Sequence, residues 1–453
     1  MDSTIFKAYD IRGTYPDQID EESTKLIGQA VVQLLGAKKV VIGHDMRISA
    51  GTLYPKLTEG LIEMGCEVID IGLCSTPMSY FANVYFGADA SLMMTASHNP
   101  SQYNGFKLCG NDAQPITSFF PTTEVDRVIR KWENGEGTPD VRMGGFIKHE
   151  DILDEYVEKI CEGVEIDPQK LGKIVLDGGN GMAGLPTVEV LNRLKVDYKG
   201  LYLQLDGRFP NHEPNPLKHT TLKELQATVI RTDAVIGAAV DGDADRIGFV
   251  DERGEIVPAD MVTILIAKEM MKQKKDLKVM YDLRSSWSVK EEIESAGGDA
   301  QMCMVGHGLI KPVMRKNGVD FAGELSAHYY FKELSYTDNA DKALVAVLQL
   351  LSESGKKMSE LIAPFKRYFA TGEINFEVSD PKGKIEEIEG EILEGEKLHL
   401  DGLSVEMSDW WFNLRASNTE PLLRLNLEAK TEELRDEKLD YLIDLIGVEP
   451  IAE

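Results

Sequence analysis

Apolar residues fall along this chain in short unbroken runs that stop abruptly in polar turn chemistry, the pattern of strands buried on both faces. Val40-Val41-Ile42 runs into Gly43-His44-Asp45, Ile174-Val175-Leu176 into Asp177-Gly178, and Val279-Met280-Tyr281 into Asp282. Each run is followed by a helix-like segment and a further short apolar strand. A recurrence of roughly a hundred residues suggests three related α/β units with mainly parallel mixed sheets. The last part of the chain changes character. Leu398 to Met407 alternates about an Asp401-Gly402 hairpin signal, two strand-like runs flank Arg415 to Pro421, and a helix is expected from about Glu432 to Ile446. The fold class read from this pattern is therefore α/β, three related domains followed by a C-terminal α+β domain.

Domain junctions follow from turn chemistry. A Gly-rich stretch at 135–145 precedes an amphipathic acidic segment at 151–165, which puts the first junction near 150. Asp251-Glu252-Arg253-Gly254 is a turn after the strand Ile247 to Val250 and opens the third unit, and the fourth begins near Phe369 to Gly372. The expected domains are 1–149, 150–250, 251–368 and 369–453.

Composition narrows the function class. The chain has 453 residues, 43% of them apolar, with 40 Gly and 18 Pro, which suits an ordinary globular protein with several cores. Met1 to Lys7 lacks a signal-peptide layout and no run is long and apolar enough to span a bilayer, so a cytoplasmic protein without membrane partners is expected. Five cysteines, Cys66, Cys74, Cys109, Cys161 and Cys303, form no C-x-x-C pair and suit reduced thiols rather than zinc or disulfides. A net charge of -27 argues against nucleic acid and anionic membranes. Any anionic substrate then needs a local basic pocket, which gives weight to Arg and Lys beside the motifs.

Five segments carry candidate chemistry. Ser97, in Thr95-Ala96-Ser97-His98-Asn99-Pro100, directly follows the buried run Ala90 to Met94, at the strand end where α/β enzymes place ligands. Alone it reads equally as a candidate nucleophile or as a turn serine bonding its own backbone. A serine hydrolase is disfavoured because the Gly-x-Ser-x-Gly elbow is absent. Asp241-Gly242-Asp243-Ala244-Asp245-Arg246 follows the strand Ala234 to Val240 and packs three carboxylates so closely that a hard cation such as Mg²⁺ is the natural partner. A calcium loop is the rival, with Glu252 at its twelfth position, but Arg246 stands where that loop needs Gly. Gly323-Glu324-Leu325-Ser326-Ala327-His328 offers Glu324 and Ser326 for sugar hydroxyls and His328 for proton transfer, or is a structural turn. Arg415 to Glu420 supplies Arg415, Ser417, Asn418 and Thr419 as an anion nest, with Arg424 on the next strand. Lys7 to Gly13 adds basic residues near the amino end.

These segments, in this order and over essentially the whole chain, resemble the α-D-phosphohexomutase superfamily, its phosphomannomutase and phosphoglucomutase branch in particular. The resemblance implies four domains around a central cleft and a reaction interconverting hexose 6-phosphate and hexose 1-phosphate, mannose and also glucose. Phosphorylated Ser97 would be the carrier, Mg²⁺ would be held by Ser97, Asp241, Asp243 and Asp245, and a hexose 1,6-bisphosphate would be both intermediate and activator. By the same mapping Tyr9, Arg12, Lys107, Arg246, Arg284 and His307 would line the cleft, with Arg12 and Lys107 stabilising the transferring phosphoryl. Arg415, Ser417, Asn418, Thr419 and Arg424 would grip the non-reacting phosphate, and Glu324 and Ser326 the sugar. His328 is the first choice of general acid or base, with His98 and Lys107 as rivals. Leu325 and Ala327 depart from the family's familiar Met and Gly, which leaves the epimer open, and Leu325 disfavours an amino sugar. The expected partner is a small phosphosugar and the expected state a monomer or weak homo-oligomer. Two other readings stand beside it, a phosphoglucosamine mutase and a non-catalytic sugar-phosphate sensor. A calcium-binding interaction module is a third.

Overall fold

The computed structural model describes residues 1–417 and 422–451. Its contacts gather into two compact units, the first comprising 1–259, 307–322 and 326–359, the second 260–306, 323–325 and 360–453.

Two sheets organise the first unit. One contains β1 (Ile11–Thr14), β2 (Lys39–His44), β3 (Glu67–Leu73), β4 (Ala90–Met94), β5 (Tyr103–Gly110) and β6 (Phe146–His149), in the order β1-β5-β4-β2-β3-β6. β2 is parallel to both β3 and β4, β6 is parallel to β3, and β5 runs antiparallel between β4 and β1. Every residue of β4 is buried, which explains why its sequence does not alternate. Gly105 is needed in β5, because a Cβ there would lie 1.9 Å from the Ile11 carbonyl oxygen on β1. Helix Glu21–Leu35 begins at a capping box between Asp20 and Ser23 and packs Ile27, Val31 and Val32 into this core.

The second sheet contains β7 (Ile174–Asp177), β8 (Tyr198–Leu201), β9 (Ile236–Val240), β10 (Ile247–Asp251) and β11 (Ile256–Val257), in the order β11-β10-β9-β7-β8. β7 pairs in parallel with β8 and β9, and β10 returns antiparallel on β9. The chain turns again at Gly254 into β11, so this sheet runs on to Val257, past the turn at 251–254.

In the second unit β12 (Lys278–Asp282) and β13 (Asp299–Cys303) form the parallel pair expected from the third apolar run. The chain passes between units within β14 (Phe321–Gly323), and β15 (Tyr329–Phe331) and β16 (Thr337–Asp338) form an antiparallel pair in the first. The C-terminal sheet is wholly antiparallel: β17 (Phe369–Glu377), β18 (Glu396–Leu398), β19 (Leu403–Glu406), β20 (Trp410–Ala416) and β21 (Leu422–Ala429), ordered β17-β21-β20-β19-β18. Alternation splits it into two faces. Phe376, Phe412, Leu414, Leu423, Leu425 and Leu427 form a core with Ile388, Leu442 and Ile446 of helices Pro381–Glu391 and Glu432–Ile446. Glu373, Asn413, Arg415, Arg424 and Asn426 fall on the other face.

The three α/β domains and the C-terminal sheet domain are thus those read from the apolar pattern. Among the described residues no helix is long and apolar enough to cross a membrane.

Candidate active site

Ser97 sits just past the carboxyl end of β4, fully buried, with φ of 52°. Such a left-handed serine needs firm support. Its N–H donates to Thr95 Oγ1 (2.9 Å), and Thr95 Oγ1 donates to Asp45 Oδ2 (2.7 Å). Arg47, just past β2, holds the rest of the loop. Its Nε donates to Asp45 Oδ2 (3.2 Å), Nη1 to the carbonyls of Pro100 (2.7 Å) and Tyr103 (2.9 Å), and Nη2 to those of Ser97 (2.8 Å) and Asn99 (2.6 Å). All the N–H groups of a buried guanidinium are therefore satisfied, which removes the desolvation cost it would otherwise carry.

The acidic segment is the hairpin loop from β9 to β10. Asp241 Oδ1 accepts from the N–H groups of Asp245 and Arg246, both at 3.1 Å, which curls the loop so that its carboxylates converge. Gly242 lets this loop meet the serine loop, since a Cβ there would stand 2.5 Å from the Ser97 carbonyl oxygen. Ser97 Oγ donates to Asp241 Oδ2 at 3.0 Å. Thr76 Oγ1, at the start of helix Thr76–Tyr85, donates to Asp243 Oδ2 (2.6 Å). Lys107 reaches in from β5, with Nζ 2.7 Å from Asp243 Oδ2 and in contact with Asp245 Oδ2.

All three aspartates have no solvent exposure, and the electrostatics follow. Burial, reinforced by Asp243 and Asp245, pushes the Asp241 carboxyl well above the usual range. For Asp245 burial acts upward too, but Lys107 and His328 outweigh it and hold the group well below. Burial would favour a neutral Lys107, and the Asp243 and Asp245 charges reverse that, raising its pKa. One carboxylate oxygen from each of Asp241, Asp243 and Asp245 lies within 4.8 Å of the others, and Asp243 Oδ1 is buried with no hydrogen-bond donor among the described residues. A convergent set of oxygen ligands with an unsatisfied buried acceptor fits a hard divalent cation.

Basic and aromatic groups adjoin this centre. Arg12 donates to Asn99 Oδ1 and Asp10 Oδ2, each at 2.8 Å. His307 Nε2 lies 3.3 Å from Asp10 Oδ2, and Tyr9 packs edge-on against the His307 ring at 4.5 Å. Burial would raise the Asp10 pKa, yet His307 and Arg12 hold it far below the carboxylate range. His98 Nδ1 is 3.1 Å from Ser97 Oγ; burial, then the charges of Arg246 and Arg12, push this imidazole well below its ordinary pKa. Arg246 Nε donates to His328 Nε2 (3.1 Å), Ser326 Oγ lies 2.9 Å from His328 Nδ1, and His328 Nε2 is 3.5 Å from Asp245 Oδ1. The first unit therefore brings together Tyr9, Arg12, Ser97, Lys107, the three aspartates, Arg246, His307, Ser326 and His328.

A second cluster belongs to the second unit. Arg284 Nη2 donates to Asp282 Oδ2 (2.8 Å) and lies 3.8 Å from Glu324 Oε1, which accepts from the Gly306 N–H (3.0 Å). Arg415 and Arg424, directly opposed on β20 and β21, both contact Glu373, and Arg424 Nη2 donates to Ser417 Oγ at 3.4 Å. Glu324 and Ser326, neighbours in the motif, fall in different units. Asn418 and Thr419 lie outside the described residues.

The sequence reading missed Asp10, Arg47, Asp282 and Glu373 as parts of these clusters. Asp10 and Asp282 stood in segments already noted for other reasons, and the place of Arg47, two residues after Asp45, gives no sign of the distant carbonyls it binds. Glu373 had no local signal either.

Four family models cover the chain in order: phosphoglucomutase/phosphomannomutase α/β/α domain I at residues 3–136, domain II at 154–254, domain III at 258–368 and the C-terminal domain at 373–444. A phosphomannomutase of Methanocaldococcus jannaschii is 38% identical over 98% of this chain and 98% of its own. A crystal structure of a phosphoglucomutase/phosphomannomutase family protein from Burkholderia thailandensis superposes with a TM-score of 0.89 at 29% identity, covering 99% of each chain. An N-acetylphosphoglucosamine mutase of Aspergillus fumigatus, crystallised with GlcNAc-6P and magnesium, shares the fold at a TM-score of 0.63 and 14% identity over 98% of this chain and 95% of that one.

Proposed function

Because the chain belongs to the phosphoglucomutase/phosphomannomutase family, and is thereby a phosphohexomutase, an intramolecular phosphotransferase, we propose that it interconverts mannose 6-phosphate and mannose 1-phosphate, and the glucose pair as well. Phosphorylated Ser97 is the carrier in this reading and a hexose 1,6-bisphosphate the intermediate. The observation that carries it is the 3.0 Å hydrogen bond from Ser97 Oγ to Asp241, which sets a hydroxyl on the rim of a buried all-oxygen cation site with Lys107 and Arg12 alongside.

The steps balance as two reciprocal transfers. A sugar hydroxyl attacks the phosphorus of phosphorylated Ser97, its proton passes to His328, and the P–O bond to Ser97 Oγ breaks. Ser97 Oγ departs as an alkoxide, the bisphosphate turns end for end, that alkoxide attacks the phosphate originally on the sugar, and the hexose oxygen leaves and takes back the proton held by His328. Asp241, Asp243 and Asp245, with an oxygen of the phosphorylated serine, would hold Mg²⁺, which when bound neutralises phosphoryl charge and improves the serine oxygen as a leaving group. Arg12 and Lys107 supply fixed positive charge to the transferring group, where preorganisation counts most. Arg415, Arg424 and Ser417, with Asn418 and Thr419, take the phosphate that is not transferred; Glu324, Ser326 and Arg284 contact the sugar. Tyr9, His307 and Arg246 complete the lining. The division at 149/150, 250/251 and 368/369 belongs to the same proposal, supported by family models that fall close to those junctions.

Phosphorus NMR tests the reading. Mannose 1-phosphate and glucose 1-phosphate are incubated side by side with the protein, Mg²⁺ and a bisphosphate primer. The expected result is conversion of both to 6-phosphates, mannose faster. Absence of any 6-phosphate would overturn the activity, and conversion of glucosamine 1-phosphate alone would replace the hexose with an amino sugar.

A further inference from the structure

The polar face of the C-terminal sheet contains an arrangement that a phosphate clamp does not by itself require. Arg415 and Arg424 stand directly opposite each other on adjacent antiparallel strands, a placement that like charges disfavour. Glu373 lies between them, accepting from Arg415 Nη2 through Oε2 (2.5 Å) and from Arg424 Nη1 through Oε1 (3.3 Å), with Arg284 Nη1 3.4 Å from Oε2. Arg284 already has Asp282 and Glu324 beside it, whereas among the described residues Glu373 is the carboxylate within ion-pair distance of the other two.

Backbone geometry aims Glu373 at them. The register between β17 and β21 shifts between Ala370 and Glu373, and Gly372 there has φ of 73°. A bulge of this kind redirects the next side chain. The pairing is also incomplete in a telling way. Arg415 is only 5% exposed, yet among the described residues its Nε has no acceptor, and the buried Nε of Arg424 has none either. One carboxylate cannot meet all the N–H groups of two guanidiniums, whereas a tetrahedral group with several acceptor oxygens is suited to more of them.

We propose that Glu373 is a built-in stand-in for phosphate: it holds Arg415 and Arg424 in place while that face is empty, and by opposing the incoming anion it keeps phosphate binding weak enough to be reversed in every catalytic cycle. This rests on the reading that Arg415 and Arg424 take the non-transferred phosphate. It adds a specificity and release determinant to that reading. A mutase must let its intermediate turn over between two phosphoryl transfers, so a clamp that binds phosphate too tightly slows the reaction it serves. Glu373 contributes by charge; it touches no transferring atom and is a positioning residue.

The test uses the full chain with inorganic phosphate, followed by isothermal titration and thermal unfolding, together with steady-state kinetics on mannose 1-phosphate. Arg415→Gln defines the part of the phosphate isotherm that belongs to this face. Glu373→Gln is expected to tighten that part about tenfold, a size typical of charge-assisted pairs. It should lower the unfolding temperature without phosphate, enlarge the gain when phosphate is added, and reduce KM and kcat together. Glu373→Asp, which keeps the charge on a shorter stem, should tighten binding about two- to threefold and serves if the glutamine variant does not fold. Phosphate binding that is unchanged or weaker in both Glu373 variants, while Arg415→Gln abolishes its share, would overturn the stand-in and leave the clamp. An isotherm untouched by Arg415→Gln would overturn the clamp, and the stand-in with it.

Discussion

The acidic centre of the first unit and the arginine face of the second handle the same difficulty with opposite signs. Asp243 and Asp245 are fully buried and share Lys107; Arg415 and Arg424 share Glu373. In neither place does one counter-charge neutralise its neighbours completely, and each keeps a buried polar atom without a partner among the described residues, Asp243 Oδ1 in one and Arg415 Nε in the other. Clusters built for stability would match their charges, since a buried charge left unmatched is costly. These are matched only in part, which leaves room for a cation at one and an anion at the other. They differ in how the counter-ion is mounted. Lys107 projects from β5, bonded on both edges within a six-stranded sheet, while Glu373 follows a bulge on the outermost strand of its own.

The largest expected effect separates the two regions by role. Ser97→Ala should reduce mutase turnover by at least about a thousandfold, as removal of the proposed covalent carrier would, with an unchanged circular dichroism spectrum. Near-normal turnover in that variant would shift the chemistry away from the acidic centre. Next in size, Asp243→Asn should cost about a hundredfold in kcat, and chelation with EDTA should abolish activity that added Mg²⁺ restores. Activity indifferent to EDTA would mean that Lys107 alone balances the carboxylates. Arg415→Gln should be milder, reducing kcat/KM about tenfold to a hundredfold, mainly through KM, because it weakens binding rather than the transfer itself. An effect confined to kcat would erase the distinction between the regions.

A last effect bears on stability and its pH dependence rather than on turnover, and concerns a buried carboxylate that two hydroxyls, not ions, hold. Asp341 accepts from Thr187 Oγ1 (2.5 Å) and Tyr156 OH (2.8 Å), and burial raises its pKa from 3.8 to about 6, the two hydroxyls opposing. With the folded value above the unfolded one, the folded state holds the extra proton between these pH values. Stability from this group is full below pH 3.8, falls as pH rises through about 6, and spans about 3 kcal/mol. Asp341→Asn should therefore be as stable as the parent, or more so, at pH 7.5, and relatively less stable near pH 4. Melting curves at both pH values check this, and parallel pH dependences would show that Asp341 is ionised throughout.

What could be read from the sequence was local. Runs such as Ala90–Met94 and Ile236–Val240 announce buried strands, the turn residues after them announce the loops, and the last helix falls at the expected Glu432–Ile446. Asp241, Asp243 and Asp245 are legible as a candidate cation site because their crowding is visible within five residues. Arg47 and Glu373 were not legible, since their partners lie far along the chain: Arg47 bonds the carbonyls of residues near 100, and Glu373 meets Arg415 and Arg424. Nothing around a lone Glu after Thr371-Gly372 marks it as facing guanidiniums. The split of Glu324 from Ser326 was hidden for the same reason, since one motif in sequence serves two compact units.

The cage around the serine loop has its own consequence. Arg47 spends four of its N–H groups on main-chain oxygens and the fifth on Asp45, and none on a side chain of the loop it supports. The bonds that Arg47 makes to that loop therefore do not depend on the Ser97 hydroxyl, so esterifying or freeing it leaves those four carbonyl contacts as they were. In the proposed reaction Ser97 alternates between two covalent forms, and the Arg47 bonds beneath it are made to main-chain oxygens that are the same in both.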